Sequence, residues 1–139
     1  MQTLKIVADT NLWIAARFNL RSFSAEILNL AGEGRVKLLW SADTRAELER
    51  VLSNVKATPE FKAGVERLLS KSIDVGPTEK LQVVEADPDD DKILACAQAG
   101  QADYIVTSDE HLLSLGRFGR TEIVTPKAFL QHLGRRRTF

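Results

Sequence analysis

Leu4-Lys5-Ile6-Val7-Ala8-Asp9-Thr10-Asn11 and Tyr104-Ile105-Val106-Thr107-Ser108-Asp109 are built alike. Each is a short apolar, β-branched run, the mark of a buried strand, that breaks off at an aspartate among hydroxyl or amide side chains. Between and after them, strand-like and helix-like segments alternate. The spacing predicts helices over 24–31 (stopped by Gly32 and Gly34), over 44–55 from a Thr44–Glu47 capping box, and from Thr58-Pro59 with Phe61, Val65, Leu68 and Leu69 as its stripe. Further helices are expected over 89–98, over 110–115 and from Pro126 to 133. Strands are expected at 36–40 and 122–124, with strand-like pieces at 73–75 and 81–84 around Gly76-Pro77. Such alternation indicates βαβ units, and the expected fold is an α/β/α sandwich with a mainly parallel central sheet. One domain over 1–134 accounts for the chain, with 135–139 as a mobile basic tail.

If both strands are parallel members of that sheet, Asp9 and Asp109 emerge at the same edge, outside the carboxyl ends where ligands of α/β sheets bind. Thr10, Asn11, Thr107 and Ser108 stand beside them as supporting polar groups. Each aspartate alone could be an ordinary helix cap. Asp87-Pro88-Asp89-Asp90-Asp91 places four carboxylates within five positions, again at a helix start, where capping and the macrodipole favour acids. Asp89 could be only such a cap. Asp90 precedes Ile93, Leu94 and Ala97 by three, four and seven residues and so shares the helix's buried stripe. A buried carboxylate needs a cation, and no Lys or Arg has matching spacing on that face, so a metal ion is the natural partner. Glu47 and Glu49 compete for a fourth place, both at the margin of their helix's apolar stripe.

Oxygen ligands without convergent His or Cys fit a hard cation, Mg²⁺ or Mn²⁺. There is no Gly-rich phosphate loop, nucleophile elbow or His-Glu-x-x-His. His111 and His132 are isolated and read as surface or packing residues. The 19 basic and 19 acidic residues cancel, so nucleic acid would have to be met by a local basic patch. Cys96, the one cysteine, lies in an apolar run and reads as a small buried hydrophobe. No stretch nears the ~20 apolar residues of a membrane span. Asp9 and Asn11 interrupt the first apolar run, which spoils it as a secretory signal, and a cytoplasmic location is expected.

The four motifs together resemble the PIN-domain family over nearly the whole chain. Val7-Ala8-Asp9-Thr10-Asn11 is similar to the family's opening strand and acid. Glu47-Leu48-Glu49-Arg50-Val51-Leu52 is similar to its helical Glu-Leu-x-x-Val-Leu, which favours Glu47. Asp90 stands before Ile93-Leu94-Ala95-Cys96-Ala97 as the third acid, and Val106-Thr107-Ser108-Asp109 supplies the fourth. Asp91 is acidic where many relatives have a small residue, so Asp91 competes as a metal ligand. The Asp-Pro-Asp-Asp-Asp form resembles the VapC-like toxin components of toxin–antitoxin pairs. The resemblance implies Mg²⁺- or Mn²⁺-dependent RNA cleavage by Asp9, Glu47, Asp90 and Asp109, a homodimer and a cognate antitoxin. Arg17, Arg21, Arg45, Arg50, Arg117 and Arg120 form a candidate phosphate-contacting rim. Arg135-Arg136-Arg137 could add RNA affinity; Trp13 and Phe18 are candidates for base stacking, with core or dimer packing the commoner role for such residues. The competing readings are a PIN-fold binding module with feeble catalysis and another acid-dependent phosphotransfer protein. A haloacid-dehalogenase-type phosphatase wants Asp-x-Asp where this chain has Asp9-Thr10-Asn11. A receiver domain wants an acidic pair there.

Overall fold

The computed structural model describes residues 3–55, 57–84 and 87–137. In chain order the elements are β1 (Leu4–Ala8), α1 (Thr10–Phe18), α2 (Phe23–Gly32), β2 (Val36–Trp40), α3 (Ala42–Asn54), α4 (Pro59–Ser70), β3 (Ile73–Asp74), α5 (Pro88–Gly100), β4 (Tyr104–Val106), α6 (Glu110–Leu113), β5 (Arg117–Phe118), β6 (Thr121–Val124) and α7 (Pro126–Arg137). The sheet order is β3-β2-β1-β4-β6-β5. All neighbours are parallel except β5 on β6. The expected α/β/α sandwich is thus what forms.

Alternation along each strand fills both faces. Ile6, Leu38 and Val106 enter one core with Leu12 and Trp13 of α1, Ile27 of α2, Leu48 of α3, Val65 of α4 and Phe129 of α7. Val7, Leu39, Ile105 and Ile123 enter the other with Ile93, Leu94 and Cys96 of α5 and Leu112 of α6. Cys96 is fully buried, which pushes its thiol up to about 11 and leaves it unreactive. The chain builds from β1 outward to β3, then returns through α5 to place β4 on the other side of β1. Strand order therefore reverses between β1 and β4, where a crevice opens at the carboxyl ends of such strands. Among the described residues, no helix is long and apolar enough to cross a membrane.

Several local expectations are corrected. Helix α1, absent from the expected helices, starts directly after Asp9, and its phase puts Leu12, Trp13 and Ala16 on one buried face. Trp13, 5% exposed, takes the packing role rather than the stacking one, whereas Phe18 is 66% exposed. The capping box of α3 starts at Ser41: its side chain accepts from the Thr44 amide, and the Ser41 amide donates in turn to the Thr44 hydroxyl oxygen. Thr44 is thus the third helical residue, not the cap. Residues 81–84 carry no strand. The hairpin β5–β6 adds an antiparallel edge too short to leave a periodic signal. Helix α6 stops at Leu113, and α7 continues through Gly134 to Arg137. Thr138 and Phe139, the end of the expected tail, lie outside the described residues. The N-cap Thr58 and first-turn Pro59 of α4 are as expected.

Gln101 ends α5 in the left-handed conformation, with φ 53° and ψ 51°. An L side chain there costs about 1 kcal/mol that glycine avoids. Gln101→Gly should raise stability by about that amount in urea melts, and a lower midpoint would contradict this account of the helix end.

Candidate metal centre

The strands deliver two carboxylates to the crevice. Pairing of Ala8 with Val106 brings the ends of β1 and β4 level, and the Asp9 amide extends the ladder to the Val106 carbonyl at 3.1 Å. Thr107, buried at the end of β4, donates its hydroxyl to Asp9 Oδ2 at 2.7 Å. The same hydroxyl accepts from the Asp109 amide at 3.0 Å. One side chain therefore fixes both aspartates. Asp9 sits at the N-cap of α1 but makes no capping bond with its side chain. Asp109 does cap, its Oδ1 accepting from the amides of His111 (2.7 Å) and Leu112 (3.3 Å).

Helix α5 brings the acids of 87–91 and gives each a different neighbour. Asp87 is the N-cap, accepting from the Asp89 amide at 3.1 Å; Asp89, the cap expected from sequence, instead pairs with Lys92 at 2.9 Å and lies 3.8 Å from Arg50. Asp91 Oδ1 accepts from the amides of Val83 (3.0 Å) and Val84 (2.9 Å), so this carboxylate pins the preceding loop. Asp90 comes close to Asp109 and feels the charge of Asp9. It is 5% exposed, and among the described residues its Oδ2 has no hydrogen-bond donor. Helix α3 separates its two glutamates: Glu49 is exposed and bonded to Arg45, while Glu47 lines the cleft. Asp9, Thr10, Asn11, Glu47, Asp87, Asp89, Asp90 and Asp109 surround a small hollow of about 90 Å³, closed below by Val51 and Ile93. Thr10 is buried against it, and Ser108 is exposed.

Crowding the acids has an electrostatic cost. Asp90 is pushed up to about 7 by burial first, then by the charges of Asp109, Asp87 and Asp9. Burial raises Asp9 too; the Thr107 hydroxyl and the Thr10 and Asn11 amides pull it back only in part. Burial and Asp89 raise Glu47 against the opposing pull of Lys92 and Arg50. A divalent cation would meet the donor-free Asp90 oxygen and relieve the repulsion, and the oxygen-rich lining suits Mg²⁺ or Mn²⁺.

The arginine rim is only partly realised. Arg50 reaches the cleft, 3.8 Å from Glu47. Arg45 lies over the Trp40 ring and is held by Glu49 and Glu66, each at 2.9 Å. Arg17 stacks on Phe18, and Arg21 is exposed. Arg117 and Arg120 are displaced from the acids: Arg117 pairs with Glu122, level with the start of β4, and Arg120 with Asp103, at the opposite edge of the sheet. The hairpin that carries them back was not legible in sequence. His132 packs in the expected way, 3.3 Å from the Tyr104 hydroxyl. His111, read as isolated, instead stands with Nδ1 3.6 Å from Asp109 Oδ1. A histidine two residues after the strand-end acid was the only sequence signal for it.

The PIN domain family matches residues 5–111, and the chain belongs to that family. Among solved structures, a chain of VapBC2 from Rickettsia felis, bound to a DNA fragment from the VapBC2 promoter, is similar in fold: TM-score 0.60 at 18% identity, over 86% of this chain and 97% of that one. No curated protein matches the sequence.

Asp90 and Asp91 should respond in opposite directions. Because folding raises the Asp90 pKa, the metal-free fold holds this proton more tightly than the unfolded chain. That contribution is complete below about pH 4 and is lost as pH rises through about 7. Asp90→Asn should therefore raise the metal-free Tm at pH 8 by about 3–6 °C and change little at pH 4. Asp91→Ala strips two backbone amides of their acceptor and should cost about 2–4 kcal/mol at either pH. Thermal melts of both variants in chelator check the pair, and equal shifts would contradict the division of roles.

Proposed function

We propose that this protein is a divalent-metal-dependent endoribonuclease and the toxin of a toxin–antitoxin pair. The observation that carries the reading is the convergence of Asp9, Glu47, Asp90 and Asp109 on one hollow at the sheet's switch point, with a buried Asp90 oxygen that has no donor among the described residues. Membership of the PIN family supports the nuclease class. Asp9, Asp90 and Asp109 would hold Mg²⁺ or Mn²⁺; Asp91 is committed to the 83–84 amides and is left out of the set. When bound, such a cation supplies neutralisation at a phosphoryl oxygen and a lowered pKa for water.

The chain's own groups do the rest. Thr107 holds Asp9 in place, so the cleft is ordered before substrate arrives. Glu47, raised by burial and lining the hollow, would take a proton from the attacking water. Arg50, exposed at the cleft's mouth, contacts the phosphate backbone of a single-stranded or looped RNA. An antitoxin partner is supported by the VapBC2 likeness in fold and by exposed Phe18, Leu20 and Phe23 around the α1–α2 junction. A homodimer belongs to the same reading.

Asp9→Asn should remove nearly all Mg²⁺- or Mn²⁺-dependent cleavage of a labelled looped RNA while the far-UV circular dichroism is kept. Equal cutting in excess EDTA would contradict the metal mechanism. Turnover of phosphomonoesters without RNA cleavage would move the protein to another class.

A further inference from the structure

Resting on the reading of the cleft as a metal centre, one residue outside the four acids calls for assignment. His111 is the second residue of α6, its side chain about half exposed at the rim. Its position is not loose. The His111 amide donates to Asp109 Oδ1 at 2.7 Å, and that bond, with the Leu112 amide on the same oxygen, fixes the start of α6 against the strand-end acid. The ring then comes back over the carboxylate, Nδ1 3.6 Å from Oδ1. One ligand atom each from Asp90, Asp109 and His111 lie within 4.8 Å of one another, a separation one cation can bridge. Independently, Asp90 lines the same hollow as Asp109, is only 5% exposed, and among the described residues its buried Oδ2 has no hydrogen-bond partner.

We propose that His111 Nδ1 joins Asp90 and Asp109 as a metal ligand and biases the centre toward a Mn²⁺-class transition-metal ion over Mg²⁺. The chemistry follows from the donor set. Mg²⁺ demands near-ideal octahedral oxygen ligation and keeps several of its waters, so an imidazole adds little to its binding. Imidazole nitrogen suits first-row transition metals, and its affinity grows along their series. Ligation through Nδ1 puts the ring proton on Nε2, the nitrogen farther from the backbone. Asp109 would have a double part, one oxygen setting the helix that carries His111 and the carboxylate as a whole facing the cation.

The test uses calorimetric titration of the full-length protein with MnCl₂ and separately with MgCl₂, for wild type, His111→Gln and Asp90→Asn. Pulsed electron paramagnetic resonance of the Mn²⁺-loaded protein provides a second readout. His111→Gln should weaken Mn²⁺ binding about tenfold and Mg²⁺ binding less than about twofold. Wild type should show a ¹⁴N coupling to Mn²⁺ that the variant lacks. An equal effect on both cations, or no nitrogen coupling in wild type, overturns the role of His111. If Asp90→Asn still abolishes Mn²⁺ binding in that case, the carboxylate centre stands without the histidine. If Asp90→Asn binds Mn²⁺ like wild type, the carboxylate centre itself falls and takes this inference with it. Since His111 is at the surface, His111→Gln is expected to fold, and circular dichroism verifies it.

Discussion

The hydroxyl of Thr107, donating to Asp9 and accepting from the Asp109 amide, is the contact on which the cleft depends. It spans β1 and β4, two strands 98 residues apart in sequence, at the point where the order of the sheet reverses. Without that reversal the helices following β1 and β4 would not diverge, and no crevice would open between the two aspartates. Parallel pairing sets the height of both acids, and Thr107 sets their orientation. A hydroxyl suits the position because it can donate and accept at once. Valine, of similar shape, would leave Asp9 and the Asp109 amide without this partner.

Around this bridge, the acids of 87–91 show how neighbours with the same chemistry acquire different work. Asp87 caps, Asp89 meets Lys92, Asp91 ties a loop to α5, and Asp90 lines the hollow with a buried oxygen that has no partner among the described residues. The first three are satisfied by protein donors. The last is crowded by like charges and raised by burial, so the metal-free fold carries an electrostatic penalty at neutral pH. The stored repulsion is the counterpart of cation affinity, since the ion that relieves it gains the energy the bare site lacks.

Much of this was legible in sequence because it rests on periodicity. The apolar runs of β1, β2 and β4 announced themselves, and helix phase selected Asp90 over its neighbours. Phase could not reveal that Asp91 is held by amides seven and eight residues upstream, because that bond depends on a loop with no regular pattern. Nor could it separate Glu47 from Glu49, which differ in what α3 packs against and not in spacing along it. Helix α1 was missed because Asp9-Thr10-Asn11 reads equally as a strand stop or a helix start, and the nine residues of the helix are a short sample. The two-residue strand β5 carried Arg117 and Arg120 away from the acids for the same reason: its pairing is tertiary, with no local signature.

The central claim is that Asp9, Asp90 and Asp109 together seat a cation. It is tested most directly by a crystal structure of the protein soaked in MnCl₂, with anomalous differences collected at the manganese edge. The account predicts a peak inside the hollow, within about 2.0–2.4 Å of carboxylate oxygens from these three residues, with Asp91 still on the amides of Val83 and Val84. A peak on Asp91 or at the Asp87–Asp89 rim, or no peak in the hollow at saturating Mn²⁺, would contradict it.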